Sequence, residues 1–229
     1  MIESVNVIGA SGRVGSALSA RLRERGIVVR EDDAELVLLC VPDRAIAEVA
    51  ARVAPGPWVA HVSGGTPLTA LEPHARRFTL HPLQTFSRDR GAEQIDGAWA
   101  AVTGETDEAR DVAVGIAATL GLRPFVLADE DRALYHAGAA MASNYLVTLR
   151  RAAGELLESA SVPPEALEPL MRRVIENGFQ LTGPIERGDW ETVERHRAAI
   201  AAAAPELLEA YEALATVTAR DAVARGLSA

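Results

Sequence analysis

A few short segments of this chain hold the side chains best suited to moving a proton or gripping a small polar molecule. His81, in His81-Pro82-Leu83-Gln84-Thr85-Phe86, is the leading acid or base candidate, because a free imidazole titrates near neutrality. Ser63, in Ser63-Gly64-Gly65-Thr66, orients that imidazole, binds a substrate oxygen, or caps the helix that Thr66-Pro67 begins. Further along, Tyr135-His136 and Ser143-Asn144 share a helical pattern in which residues 136, 140 and 144 fall on one face. Asn144 there would hydrogen-bond a substrate or the carboxamide of a nicotinamide, or serve a buried bond between helices, and His136 is a secondary candidate for the same chemistry. Arg187 either meets a carboxylate or is stapled to Asp189.

A different kind of site is written near the start. The apolar run Val5-Asn6-Val7-Ile8 feeds Gly9-Ala10-Ser11-Gly12-Arg13-Val14-Gly15, and Ser16-Ala17-Leu18-Ser19-Ala20-Arg21-Leu22 continues as an amphipathic helix. Glycine lets a backbone turn tightly between strand and helix and still approach a diphosphate, whose charge the unpaired amides of the helix start would hold. A dinucleotide-binding loop is the direct reading. The plain alternative is a glycine turn that only joins the two elements.

These residues need elements to hold them. Apolar runs at Val5–Ile8, Ile27–Arg30, Glu35–Val41, Trp58–Val62, Phe78–Leu80, Ala98–Thr103 and Pro124–Leu127 read as strands. Helical patterns between them predict a parallel α/β sheet of the doubly wound kind. Ligands bind such sheets beyond the carboxyl ends of the strands, so Val41-Pro42-Asp43-Arg44, Ser63-Gly64-Gly65-Thr66 and the segment after His81 should converge on one site. One gap is anomalous. Only Glu31 to Ala34 separate the second and third strands, too few for the usual crossover, so either a helix is lost or the second strand is irregular. From about Asp129 strand signals vanish and alanine-rich helical spacing takes over, with a long helix over Glu130–Ala160, a break at Pro163-Pro164 and helices over Trp190–Ala204 and Pro205–Arg225. The expected organisation is a Rossmann-like domain over residues 1–129 and an all-helical domain over 130–229.

Composition excludes several chemistries. The 229 residues carry a net charge of -9 and no basic stripe, which argues against a nucleic-acid partner. Every one of the 23 Lys+Arg positions is arginine, so neither Schiff-base chemistry nor a P-loop lysine is available. The lone Cys40 sits in an apolar strand and reads as a buried thiol, suiting a reducing cytoplasm. No zinc-ligand spacing is present, and Asp129-Glu130-Asp131 reads as an acidic first helical turn and not a metal site. No apolar run approaches the roughly 18 residues of a membrane span, so a soluble, unexported protein is expected.

The loop Gly9 to Gly15, Val41-Pro42-Asp43, His81-Pro82-Leu83-Gln84-Thr85-Phe86, Ala142-Ser143-Asn144-Tyr145-Leu146-Val147 and Leu181-Thr182-Gly183-Pro184-Ile185 together resemble one family over nearly the whole chain. That family joins a Rossmann-like domain to a C-terminal helical domain of unknown function, numbered 2520, and is similar to pyrroline-5-carboxylate reductases and 6-phosphogluconate dehydrogenase-like enzymes. The resemblance implies a nicotinamide cofactor, NADP with NAD as the alternative, and a homodimer formed through the C-terminal helices. It implies a reductase or dehydrogenase acting on a small keto- or imino-acid in the cleft between the domains, the alternative being a non-catalytic dinucleotide sensor or scaffold dimer. Prephenate dehydrogenases also place a Gly-Ser and a His-Pro at successive strand ends, which matches Ser63 and His81 to the reacting groups. Related hydroxyacid dehydrogenases use a helix lysine four residues before an asparagine; the corresponding residue here is Ala140, so that mechanism does not carry over.

The cofactor contacts expected are Gly9, Ala10, Ser11, Gly12, Arg13, Val14 and Gly15 around the diphosphate, with Val41 and Pro42 beside them. At the end of the second strand, Arg30 would favour a 2'-phosphate, whereas Glu31 or Asp32 would favour a free 2'-hydroxyl.

Overall fold

A computed structural model describes residues 2–226, with side chains described through residue 224. The chain forms two compact units, Met1–Ser143 and Asn144–Ala229. The break therefore falls at 143/144 and not at the expected 129/130, because the helix following residue 129 is fastened to the sheet.

The first unit is built on a seven-stranded sheet ordered β2-β1-β3-β4-β5-β6-β7. Its strands are β1 (Ser4–Ile8), β2 (Val28–Val29), β3 (Leu36–Leu39), β4 (Trp58–His61), β5 (Arg77–Leu83), β6 (Trp99–Thr103) and β7 (Arg123–Val126). Every apolar run singled out in the sequence forms a strand. The sheet is not wholly parallel, however: β6 runs antiparallel to β5. Between Leu83 and Trp99 the chain forms only the short 3-10 turn Ala92–Ile95, with no crossover helix to return it in the parallel sense.

Helices α1 (Arg13–Glu24) and α3 (Asp107–Thr119) cover one face. Leu18, Leu22, Ile116 and Ala117 pack there with Val5, Leu36, Phe78 and Leu80 in the larger core. Thr106 starts α3 by accepting a bond from the Ala109 amide at 3.1 Å, and Asp107 and Glu108 complement the helix dipole in its first turn. On the other face α2 (Ile46–Ala50) and the 3-10 turn Leu68–Leu71 bury Val37, Leu39 and Val59.

The anomaly at the second strand resolves as a lost helix. Val29 and Leu36 both pair with Val5, one on each side of β1, so residues 30–35 make the whole crossing. They pass over the face of β1 that carries Ser4 and Asn6. The Asn6 side chain donates to the Glu31 carbonyl at 2.7 Å, and the Ser4 hydroxyl accepts from the Glu35 amide at 3.2 Å. Two polar side chains on an otherwise apolar strand thus satisfy the backbone of a crossing too short to form a helix. The cost is a β2 that stops opposite Val5, while β1 continues to Ile8.

Helix α4 (Arg132–Ala140) closes the first unit, and the boundary lies inside a π-helical turn, Met141–Tyr145. The second unit holds α5 (Leu146–Ser159), α6 (Leu167–Glu176), α7 (Trp190–Ala203) and α8 (Leu208–Gly226). Asp189 caps α7, its carboxylate accepting from the Thr192 amide at 3.1 Å and the Thr192 hydroxyl at 2.8 Å. It is therefore a helix cap, and no staple to Arg187 forms among the described residues. Leu170, Val174 and Ile175 on α6 remain exposed.

Candidate functional site

The sheet face that carries α2 through Val37, Leu39 and Val59 turns polar toward β5 and β6. His61 and Thr79 are neighbours across β4 and β5, and Thr79 lies directly opposite Thr103 on β6. Side chains alternate along strands, so His61, Thr79, His81 and Thr103 share this face. Three of them, His61, Thr79 and Thr103, are buried, which would be costly without partners. Arg132, at the start of α4 and only 2% exposed, supplies partners for the two threonines. Its guanidinium donates to the hydroxyls of Thr79 at 2.6 Å and Thr103 at 2.8 Å, to the Ser63 carbonyl at 3.3 Å and to the Asp129 carboxylate at 3.0 Å. Asp129 in turn accepts from the Leu68 amide at 3.1 Å. The acidic helix start read from the sequence is thus also the partner of a buried arginine, and this pair fixes α4 against β4, β5 and β6.

With α4 held there, its next turn delivers Tyr135 and His136 to His81. The Tyr135 hydroxyl lies 2.7 Å from His81 Nδ1, with the two rings edge to face, centroids 5.5 Å apart. His136 stands 6.1 Å from His81, again edge to face. His81 Nε2 lies toward the turn after β4. A Cβ added to Gly64 would fall 2.8 Å from both His81 Nε2 and the His136 ring, so only glycine fits between the imidazoles and that turn. Burial, then the neighbouring His136 and Arg132, push the His81 pKa down to about 4, against the opposing pull of Asp43. The fold thus holds His81 neutral near pH 7, its pKa well below the range in which a free imidazole titrates. Burial raises the Tyr135 phenol to about 12.

Ser63 bonds within the turn after β4 and does not cap the 3-10 turn Leu68–Leu71, which starts at Pro67 with no side-chain cap. Its hydroxyl accepts from the amides of Gly65 at 3.2 Å and Thr66 at 3.0 Å, and its own amide donates to His61 Nδ1 at 3.2 Å. It shapes the turn beside His81 and does not bond the imidazole. Tyr135, Arg132 and His61 are the residues the sequence reading passed over. The one available signal was Tyr135 beside His136, on a helix whose first turn begins with an arginine.

The glycine loop follows β1 at the same, carboxyl, end of the parallel strands. Gly9 has φ +92°, and a Cβ there would lie 2.4 Å from the Cys40 carbonyl; on Gly15 it would lie 2.2 Å from the Gly9 carbonyl. Gly12 begins α1 with no side-chain cap and no acidic residue in the first turn. The amides at the start of α1 thus face outward, with Ala10, Ser11 and Arg13 exposed around them. This donor set fits a diphosphate. Val41 and Pro42 follow β3 beside the loop, Pro42 preceding the 3-10 turn Asp43–Ala45. The adenosine end fits less well. Arg30 donates to Ser4 Oγ at 3.3 Å and to the Asp33 carbonyl, at the start of β1 and therefore away from the loop at its end. It is not placed as a 2'-phosphate residue.

Asn144 belongs to the second unit, within the π turn, and is exposed. The wider i to i+5 bonding of that turn breaks the spacing expected to align residues 136, 140 and 144. Cys40 behaves as expected of a packed thiol, its pKa pushed up to about 12 by burial. Among the described residues no group of three His, Cys, Asp or Glu side chains is placed to hold a metal ion, and no helix is long and apolar enough to cross a membrane.

The family model described as domain of unknown function DUF2520 matches residues 98–218. The chain belongs to the DUF2520 family. The match runs from the turn before β6 into α8 and includes Arg132, Tyr135, His136 and Asn144, whereas Ser63 and His81 precede it. No curated protein matches the sequence. Solved structures do share the fold of this DUF2520 chain. A Bacteroides fragilis protein, named as an NADP oxidoreductase candidate, is 22% identical with a TM-score of 0.78, covering 96% of this chain and 98% of its own. A Thermotoga maritima protein is 23% identical with a TM-score of 0.79, covering 97% and 99%. A reductive aminase of Aspergillus terreus, solved with NADPH and ethyl levulinate, is 18% identical with a TM-score of 0.65, covering 96% and 94%.

Proposed function

We propose that the protein is an NADP- or NAD-dependent oxidoreductase that reduces or oxidises a small keto- or imino-acid. One observation carries this reading: an uncapped, glycine-lined helix start and a neutral histidine held by a tyrosine lie at the carboxyl ends of strands in one parallel set. A bound nicotinamide supplies or accepts the hydride. The chain's own residues do the rest. The loop from Gly9 to Gly15, with Val41 and Pro42, holds the diphosphate; His81 carries the proton at the reacting oxygen or nitrogen. Ser63 holds the turn beside His81, and His136 stands against the same ring. The NADPH complex of the reductive aminase, which has the same fold, supports the cofactor class.

The shortened β2 favours a second reading, a dinucleotide sensor without turnover. Calorimetric titration with NADPH, NADH and ADP-ribose separates the two when joined to assays on keto- and imino-acids. The oxidoreductase reading predicts dinucleotide binding and turnover that His81→Ala lowers about 10²-fold or more. No dinucleotide binding at millimolar concentration would sink both, and binding without turnover of any substrate would leave the sensor. The exposed apolar side chains of α6 support self-association into a homodimer, and the single, partly buried cysteine supports a cytoplasmic location.

A further inference from the structure

We infer that Tyr135 fixes the tautomer of His81, so that this imidazole meets its substrate as a neutral Nε2–H donor and not as a base. The inference rests on the oxidoreductase reading for what His81 meets, but its structural half stands on the protein alone.

The hydrogen bond between the Tyr135 hydroxyl and His81 Nδ1 is 2.7 Å long, and it can be made in two ways. Either the phenol donates to a bare Nδ1, or an Nδ1–H donates to the phenol oxygen. A phenol O–H is a much stronger proton donor than a neutral imidazole N–H, and the bare imidazole nitrogen is the better acceptor. Among the described residues the phenol has no other hydrogen-bond partner, so donation the other way would leave its half-buried proton unpaired. The phenol therefore donates. A neutral imidazole carries a single N–H, which then sits on Nε2.

The surroundings keep the ring neutral and leave Nε2 without a protein partner. His61 on β4, with Arg132 and His136 on α4, oppose a positive charge on His81, as does its burial; Asp43 after β3 is the one acidic group acting the other way. Among the described residues Nε2 has no hydrogen-bond partner. It lies beside Gly64, where a Cβ would fall 2.8 Å from it, so glycine keeps a side chain off this nitrogen.

A donor so placed completes a reduction with balanced charge. Hydride from a reduced nicotinamide dinucleotide reaches the carbonyl carbon, and the C=O π pair moves to oxygen. The Nε2–H bond breaks as the O–H bond forms, while the Tyr135 proton moves to Nδ1, so the imidazole stays neutral. The phenolate, which burial disfavours and the nearby Arg132 charge only partly offsets, then takes a proton from water and releases hydroxide to solvent. Tyr135 is a positioning residue, acting through His81.

The test is a two-bond ¹H–¹⁵N correlation spectrum of the ¹⁵N-labelled full chain at pH 7.5. His81→Gln assigns the signal among the five histidines. The expected wild-type pattern is a single Nε2–H tautomer that stays neutral to below pH 5. Tyr135→Phe, checked for folding by circular dichroism, is expected to give a mixture of tautomers and to raise the midpoint by about half a unit, because a bond that favours the neutral ring is lost. An Nδ1–H tautomer in the wild type overturns the inference with no variant needed. So does an unchanged tautomer in folded Tyr135→Phe. None of these readouts requires a dinucleotide, so a failed calorimetric titration defeats the oxidoreductase reading without touching this result, and the converse also holds.

Discussion

The two ends of the proposed site are built on opposite principles. At the β1 end the groups offered to a ligand are backbone amides, exposed at an uncapped helix start and made accessible by glycines. At the β4–β6 end they are side chains, locked by a buried arginine, two threonines, a tyrosine and an aspartate drawn from well-separated stretches of chain. A backbone site needs only a short local pattern and tolerates a trimmed surrounding, which is how this chain dispenses with the helix after β2 and keeps its glycine loop. A side-chain site cannot be trimmed in that way, because each group is satisfied by another from a different element.

This contrast is easiest to break at Arg132. Replacing it with Met leaves the Thr79 hydroxyl without its partner and takes one bond each from Thr103, which still donates to the Leu127 carbonyl, and from Asp129, which still accepts from the Leu68 amide; it is expected to lower unfolding free energy by about 3 kcal/mol. Urea denaturation of the full chain measures it; a loss under about 1 kcal/mol would mean that the polar face is not held by this side chain.

Acid should act on the same end. His61 and His81 both have pKa values pushed down to about 4, first by burial. An unfolded histidine titrates near 6.5, so the unfolded state binds protons first. Stability should be unaffected by these groups above about pH 6.5 and fall between there and pH 4, by on the order of 3 kcal/mol for each group. Melting temperatures recorded across that range should decline, and His81→Asn should flatten the curve. An identical slope in the variant would show that His81 is not held neutral by the fold.

At the glycine end the expected effects are smaller and local. Gly15→Ala drives a methyl into the Gly9 carbonyl, at a cost of about 2 kcal/mol, and should abolish dinucleotide binding measured by calorimetry while leaving the His81 spectrum as in the wild type. A disturbed His81 signal would show that the two ends are coupled. The smallest effect is expected at Arg30, whose exposed guanidinium is tied to Ser4. Arg30→Ala should cost less than about 1 kcal/mol and leave the ratio of NADPH to NADH affinity within about twofold. A tenfold fall in that ratio would restore Arg30 as a 2'-phosphate residue.

Much of the fold was legible in the order of residues. Each strand from β1 to β7 is a visible apolar run, and the helices of the second unit follow from their spacing and their prolines. The glycine loop was readable for the same reason, since a turn between adjacent elements is specified by neighbours in sequence. Two local features still misled. The π turn at Met141–Tyr145 hides inside an ordinary helical pattern, and the antiparallel β6 looks like any other apolar strand, because strand direction depends on the connection and not on the strand itself.

By itself, then, the sequence determined the elements, the loop and the candidacy of His81, all of which depend on patterns a few residues long. Only the tertiary structure decided what His81 is. Its partner Tyr135 lies 54 residues away, and Arg132, which holds α4 in place, reaches a threonine 53 residues before it. Gly64 packs against the ring edge from yet another strand end. The ionisation and tautomer of an imidazole are set by burial and by the groups within a few ångströms of it, and these come from parts of the chain that only folding brings together.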